Sequence, residues 1–349
     1  VTASNGSWVV NNETIVAKRS EPDFTLNVGD ESDVFDIYEG IMPLLSFSIS
    51  EKFPFEIVGQ VPQFPTNANE SNKYYGFDVY FYDEVVLEGD LSSIIVKDGD
   101  TTLTTTPEGI VTNANGKQVA TITIDEESEA ETKMLRISFD TDYLINQEVT
   151  VIGEASLTDQ ALIGELNSLV VRLRYSNRPY DSHDSILSTT TGVPLYTFGM
   201  NVLKYDATDA TPLDTPLANA VFDIYSDEDL QNKVGSVTTG EDGIGNFNGL
   251  KYGTYYLKET KAPTGYQLLE DPIEVSVGTD RVDGEAGDPP SYSVATAYAP
   301  NRKMGLLPVT GSTGIILFTC IGVLIVGSGV GLLVYYKKKK KKEQNIEVI

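Results

Sequence analysis

The chain of 349 residues has one cysteine, one histidine and one tryptophan. The cysteine, Cys320, falls inside a long apolar run, so no intrachain disulfide can brace the fold. An exported protein without disulfides needs another brace: a large core, a metal or an unusual cross-link. The histidine, His183, sits in a polar stretch and reads as a loop residue, since one histidine with no accessible cysteine makes a poor zinc site. Positive charge is also scarce. Twenty-five Lys and Arg oppose 51 Asp and Glu, a formal net charge of −26, and six of the bases are Lys337 to Lys342. Such a chain has no basic face for phosphates, which argues against a nucleic-acid partner. The acidity reads as solubility and mutual repulsion between surface proteins. No long amphipathic helical pattern is present, and Gly243-Ile-Gly-Asn246 reads as a turn, since no helix follows to make it a phosphate loop. The first residue is Val and no signal peptide is visible, as expected of a chain whose leader has been removed or of a fragment.

What is plentiful is strand-forming. Tyr and Phe number 19 and 13, and Val, Ile and Thr recur throughout. Alternating runs such as Tyr75-Gly-Phe-Asp-Val-Tyr-Phe-Tyr-Asp83, Leu135-Arg-Ile-Ser-Phe139 and Leu169-Val-Val-Arg-Leu-Arg-Tyr175 are separated by turn clusters such as Asp98-Gly-Asp100, Asn113-Ala-Asn-Gly116 and Glu241-Asp-Gly243. The expected fold is all-β: two tandem immunoglobulin-like β-sandwich domains followed by one C-terminal transmembrane helix. A polar stretch rich in Ser and Thr, Asp181 to Gly192, reads as the boundary, with a fresh strand from Tyr196 to Tyr205. It places the domains at 1–195 and 197–303, with a linker at 304–314.

The C-terminus is the most informative segment. Ile315 to Tyr336 is uncharged and rich in Ile, Leu, Val and Gly, long enough for one membrane-spanning helix. The lysines that follow put the tail, 337–349, in the cytoplasm and the rest outside. Just outside the apolar run lies Leu307-Pro308-Val309-Thr310-Gly311. Motif, apolar helix and basic tail in that order resemble the cell-wall sorting signal of Gram-positive surface proteins. The resemblance implies that a sortase cysteine attacks the Thr310 carbonyl and releases the chain from Gly311 onwards. The acyl-enzyme is then resolved by an amine of a peptidoglycan precursor or of another pilin subunit. The protein would span the membrane only until that transfer.

Four segments of 199–301 resemble the Cna protein B-type (SpaA-like) domain: Asn201-Val-Leu-Lys-Tyr-Asp206, Pro216-Leu-Ala-Asn-Ala-Val-Phe-Asp-Ile-Tyr225, Gly253-Thr-Tyr-Tyr-Leu-Lys-Glu-Thr-Lys-Ala-Pro-Thr-Gly-Tyr266 and Ala299-Pro-Asn-Arg-Lys303. The third is close to the pilin E-box. The resemblance implies an intramolecular isopeptide bond from Lys204 to Asn301, promoted by Glu259. Strand parity agrees for two of the three. Lys204 alternates with Phe198, Met200 and Val202, and Glu259 with Tyr255 and Leu257, so a lysine and a glutamate fall on apolar faces. Burial favours the uncharged form of each, which would leave an amine able to attack the Asn amide carbon and an acid able to polarise its carbonyl. A buried Lys–Glu ion pair satisfies the same parity. Asn301 shares parity with Ala295, Ala297 and Ala299.

Over about 1–200 a patchier resemblance holds to the isopeptide-forming domain of fimbrial backbone subunits. It rests on Asn167-Ser-Leu-Val-Val-Arg-Leu-Arg-Tyr-Ser-Asn-Arg-Pro179, on Tyr75 to Leu91 and on Val16-Ala-Lys18. Asp83 shares parity with Phe77, Val79 and Phe81, and Asn177 with Leu169 to Tyr175. Lys18, Asp83 and Asn177 are the implied second bond-forming set. Tyr-Pro-Lys, the motif whose lysine accepts the next subunit in polymerising pilins, is absent. That suggests an ancillary or simply wall-anchored subunit, or one whose acceptor lies in an N-terminal domain outside this sequence.

The sequence therefore reads as a wall-anchored pilin subunit on the surface of a Gram-positive bacterium, a structural stalk and not an enzyme, with sortase as partner and no cofactor or metal. Acid clusters such as Asp125-Glu-Glu127 and Asp227-Glu-Asp229 read as solvated loops rather than calcium sites. The rival reading is a wall-anchored adhesin that holds a host-surface ligand through its first domain, with loops such as Phe64 to Lys73 in contact. A eukaryotic receptor, suggested by the sequons at Asn5, Asn12 and Asn69, conflicts with the sorting signal and the lack of ectodomain cysteine.

Overall fold

The computed structural model describes residues 2–4, 7–9, 22–38, 42–62, 64, 73–127, 132–142, 144, 148–176, 186–208, 215–282 and 289–304. The sorting motif at Leu307–Gly311, the apolar run 315–336 and the basic tail lie outside these residues, as do His183 and Cys320. No helix among the described residues is long and apolar enough to cross a membrane.

In the first half the strands are β1 (Thr2–Ser4), β2 (Ser7–Val9), β3 (Phe24–Val28), β4 (Val34–Tyr38), β5 (Met42–Ser46), β6 (Lys52–Gln60), β7 (Tyr75–Phe81), β8 (Val85–Glu88) and β9 (Ile95–Asp98). They continue as β10 (Thr101–Thr102), β11 (Thr104–Thr105), β12 (Ile110–Thr112), β13 (Gln118–Glu127), β14 (Thr132–Phe139), β15 (Glu148–Leu157), β16 (Asn167–Ser176) and β17 (Ile186–Tyr196). The second half has β18 (Phe198–Asp206), β19 (Val221–Tyr225), β20 (Lys233–Thr238), β21 (Ile244–Leu250), β22 (Gly253–Lys261), β23 (Ile273–Val277), β24 (Arg281–Val282), β25 (Ser291–Tyr292) and β26 (Ala295–Asn301).

The first half packs a sheet in the order β10-β9-β15-β6-β3, with β8 also on β15, against one in the order β11-β12-β13-β14-β7-β16-β17-β5-β4. Alternation fills the space between them. Phe53, Phe55 and Ile57 of β6 face Phe77 and Val79 of β7 and Leu169, Val171 and Leu173 of β16 in one core. Central β7 is buried on both faces. On its outer side Asp78 is covered by two arginines, Arg136 at 3.0 Å and Arg174 at 3.5 Å.

The stretch expected to be a polar boundary is largely strand. β17 begins at Ile186 and pairs residue for residue with β16. Its Ser and Thr residues are β-branched or small and sit on an exposed strand, where polar side chains are tolerated. The chain leaves the first core after Leu195 and enters the second at Tyr196.

The second half is a smaller sandwich. One sheet runs β21-β18-β26, with β18 and β26 parallel, and the other runs β20-β19-β22-β23. Phe198, Met200, Val202, Phe222, Ile224, Leu257, Val277, Ala297 and Ala299 form its core. Gly243 makes the turn into β21 at φ +73°, and a Cβ there would stand 2.5 Å from the Lys204 carbonyl, so only glycine lets this turn lie against β18.

The halves are locked together by the β4–β5 hairpin. Leu44 and Tyr196 belong to the second core, and the Phe35 ring contacts Tyr196, Phe198, Tyr252 and Tyr292 at centroid distances of 5.1 to 5.5 Å. Polar bonds ring this cluster. Tyr292 donates to Asp36 at 2.7 Å, Arg281 pairs with Asp36 at 3.1 Å, Lys251 pairs with Asp33, and the Ile49 amide donates to the Gly249 carbonyl at 3.0 Å.

Candidate functional site

Lys204 lies near the end of β18, on the face it shares with Phe198, Met200 and Val202, and its side chain is 0% exposed. Glu259 comes from β22 in the opposite sheet and is equally buried. Lys204 Nζ stands 2.9 Å from Glu259 Oε1, at an angle that leaves the nitrogen without an aligned hydrogen-bond partner. The Phe222 ring lies 5.2 Å from the same nitrogen. Burial in this apolar setting pushes the Lys204 amine below the usual lysine range, and the Glu259 carboxyl only partly offsets that.

Asn301 completes the group from β26. The parallel ladder sets Lys204 opposite Ala299 and Asp206 opposite Asn301, so the asparagine lies on the lysine's face, displaced along the strands. Its Nδ2 donates to Glu259 Oε1 at 3.4 Å, and its exposure is 2%. The other Glu259 oxygen accepts from the Leu269 amide at 2.7 Å, which fixes the carboxyl group in place. One carboxyl oxygen thus touches both an amine with a lowered proton affinity and the nitrogen end of an amide. A buried ion pair is costly to maintain, because the desolvation of each ion runs to several kcal/mol. Joining amine to amide would remove both the charge and the unpaired nitrogen.

Beside these three groups lies Asp206, which the sequence reading passed over. It lies two residues beyond Lys204 on the same face and is 1% exposed. Its carboxylate accepts from Lys303 Nζ at 2.8 Å, from the Tyr266 hydroxyl at 2.9 Å and from the Thr208 amide and hydroxyl at 2.9 and 2.7 Å. The Lys303 ammonium, then the Thr208 and Tyr266 donors, hold it well below the usual carboxylate range. The signal was present in the sequence: Asp206 continues the parity of Phe198 to Lys204.

The first half differs from expectation. β7 ends at Phe81, and Asp83 lies beyond it in an exposed turn, where its backbone carbonyl accepts from the Thr158 hydroxyl. The alternation that assigned Asp83 to the core face stops where the strand stops, so it is not a buried acid. Lys18 and Asn177 lie outside the described residues. Of the two acid clusters expected to be loops, Asp125 to Glu127 is the end of strand β13, where Asp125 pairs across to Arg136 of β14 at 2.8 Å, whereas Asp227 is in a turn and accepts from the Gln231 and Asn232 amides.

Two segments match known families. Residues 199–287 match the SpaA prealbumin-like fold domain, and residues 299–343 match the LPXTG cell wall anchor motif. The chain is a cell-wall-anchored surface protein of a Gram-positive bacterium. It is 26% identical over 282 residues to the trypsin-resistant surface T6 protein of Streptococcus pyogenes serotype M6, covering 76% of this chain and 47% of that protein. It is 36% identical over 75 residues to the fimbrial subunit type 1 of Actinomyces viscosus, covering 22% of this chain and 13% of the other. The chain thus spans less than half the length of these relatives. In fold it resembles the three-domain T6 backbone pilin, with a TM-score of 0.64 at 18% identity over 82% of this chain and 71% of that one. It also resembles a C-terminal fragment of the major pilin GBS80 of Streptococcus agalactiae, with a TM-score of 0.52 at 18% identity over 81% and 100%. The architecture is accordingly an all-β, multi-sheet fold like that of modular pilin structures.

Proposed function

We propose that this chain is a backbone subunit of a sortase-assembled pilus, and that its second sandwich is closed by an amide bond between Lys204 and Asn301. The observation that carries the bond is Glu259 Oε1, which contacts Lys204 Nζ at 2.9 Å and Asn301 Nδ2 at 3.4 Å inside a sealed core. The neutral Lys204 amine attacks Asn301 Cγ. Glu259 relays the amine proton to the departing nitrogen, the Cγ–Nδ2 bond breaks, and one ammonia leaves. The reaction is a single self-cross-linking event.

The bond suits a load-bearing subunit. It ties the first strand of the second sandwich to its last, so a pull applied through Thr310 reaches β18 without unravelling the strands between. Support for the backbone role comes from the likeness to backbone pilins and from the anchor motif. The missing Tyr-Pro-Lys suggested an ancillary subunit, and the likeness to backbone pilins points the other way. In assembly a sortase would join Thr310 to a lysine of another subunit, or to a peptidoglycan precursor at the base. The deciding experiment is tandem mass spectrometry of the purified protein. A branched peptide joining the 204 and 301 segments, with one ammonia lost, is expected. Two linear peptides at full mass would reduce the site to a buried ion pair.

A further inference from the structure

Three segments meet at the bottom of the second sandwich, and each brings one member of the buried group. β18 brings Lys204, β22 with the loop after it brings Glu259, and β26 with the residues after it brings Asn301. One carboxylate binds all three. Asp206 is on β18, Tyr266 is on the loop after β22, and Lys303 follows β26; both donate to Asp206 Oδ2, at 2.9 and 2.8 Å. Backbone bonds close the same knot. The Ala207 amide donates to the Asn301 carbonyl at 2.8 Å, the Gln267 amide to the Arg302 carbonyl at 2.9 Å, and the Met304 amide to the Gly265 carbonyl at 2.8 Å.

The ladder makes Asp206 the direct neighbour of Asn301 on the inner face. A slip of β26 along β18 would carry Asn301 away from both Lys204 and Glu259; among the described residues β26 forms a ladder with β18 alone, and just past its end Lys303 bridges to Tyr266. The apolar residues of β26 do little to prevent such a slip, because Ala295, Ala297 and Ala299 are small and alike. The side-chain marker of register at this end, beside that bridge, is the charged bond between Asp206 and Lys303, two residues past Asn301.

We propose that Asp206 is a positioning residue for cross-linking: by holding Lys303 and Tyr266 it sets Asn301 in register with Lys204 and Glu259. This rests on the Lys204–Asn301 amide proposed above. Asp206 takes no part in the bond changes themselves.

The test follows cross-link formation in the full chain after synthesis at low temperature. Timed samples are quenched in denaturant, digested and scored for the branched peptide. Wild type is expected to become fully linked, and Asp206→Ala to link about 10- to 100-fold more slowly, the range that small misplacements of reacting groups cost. Asp206→Asn can turn its one oxygen to Tyr266 and Lys303, giving up Thr208, and should recover part of the rate, a rescue that loss of fold stability alone would not give. If Asp206→Ala does not fold, the double variant Lys303→Ala/Tyr266→Phe decides, and it too should link slowly. Linking at the wild-type rate in Asp206→Ala or in that double variant overturns the positioning role while leaving the amide intact. Absence of the branched peptide from wild type overturns the amide, and the positioning role with it.

Discussion

Lys204 and Glu259 face each other from opposite sheets of the second sandwich, 2.9 Å apart and with neither side chain exposed. A pair so placed is either a costly ion pair or the remnant of a reaction path, and Asn301 on the same carboxyl oxygen favours the second.

Glu259→Ala is expected to leave Lys204 and Asn301 unjoined. The proposed amide would close a loop of about 100 residues, and by analogy with disulfides its loss should cost about 4–5 kcal/mol through the entropy of the unfolded chain. Lys204→Ala should do the same. Thermal melts and trypsin digestion check both variants, with lower melting and faster cleavage expected in each. Reducing agents should leave the wild-type melt unchanged, since the only cysteine is Cys320 in the apolar run.

Asp83→Ala is expected to leave the intact mass, apart from the substitution itself, the same as that of wild type. An exposed turn carboxylate has no buried amine to activate. Loss of one fewer ammonia in this variant would restore Asp83 as the promoter of a bond in the first half.

Phe35→Ala should loosen the joint between the halves. The ring touches four aromatic side chains there, and its removal should destabilise by up to about 3 kcal/mol. Denaturant unfolding, made in a Glu259→Ala background so that the second half can unfold, should then separate into two transitions. A single transition at the parent midpoint would show that the joint does not couple the halves.

Acid should weaken the knot around Asp206. Its folded carboxylate has a depressed proton affinity, set first by Lys303, so the unfolded chain takes up the proton first as pH falls. Its contribution is therefore complete above the usual carboxylate range and is lost as pH drops through and below that range. In a Glu259→Ala background, the melting gap between Asp206 and Asp206→Asn should be widest near neutrality and should close in strong acid.

Thr310→Ala should leave the protein in the membrane fraction instead of the muramidase-released wall fraction. In cells that also express a pilin sortase, the wild-type chain in its full natural length should give a ladder on denaturing gels, and Thr310→Ala should give none. Unchanged wall attachment of the variant would remove the assignment of the motif, and a wild-type protein without a ladder would remove the backbone role.

The sequence alone determined the chemistry that is local. Leu307 to Gly311 identifies the anchor because sortase recognition is read from a short extended peptide, and alternation along β18 and β22 turned Lys204 and Glu259 inward because side chains on a strand repeat every second residue. Parity failed where a strand ended, as at Asp83, because periodicity does not say where pairing stops. It also could not show that Ser- and Thr-rich 186–192 would be a strand, which depended on ten paired residues of β16 more than on its own composition. Only the tertiary structure decided which inward groups meet. Glu259 reaches Lys204 across two sheets, Asn301 arrives through a parallel pairing nearly a hundred residues away, and Asp206 gathers Tyr266 and Lys303 from two further segments. Those contacts follow from sheet order and register, which depend on the packing of the whole core and not on any one stretch of the chain.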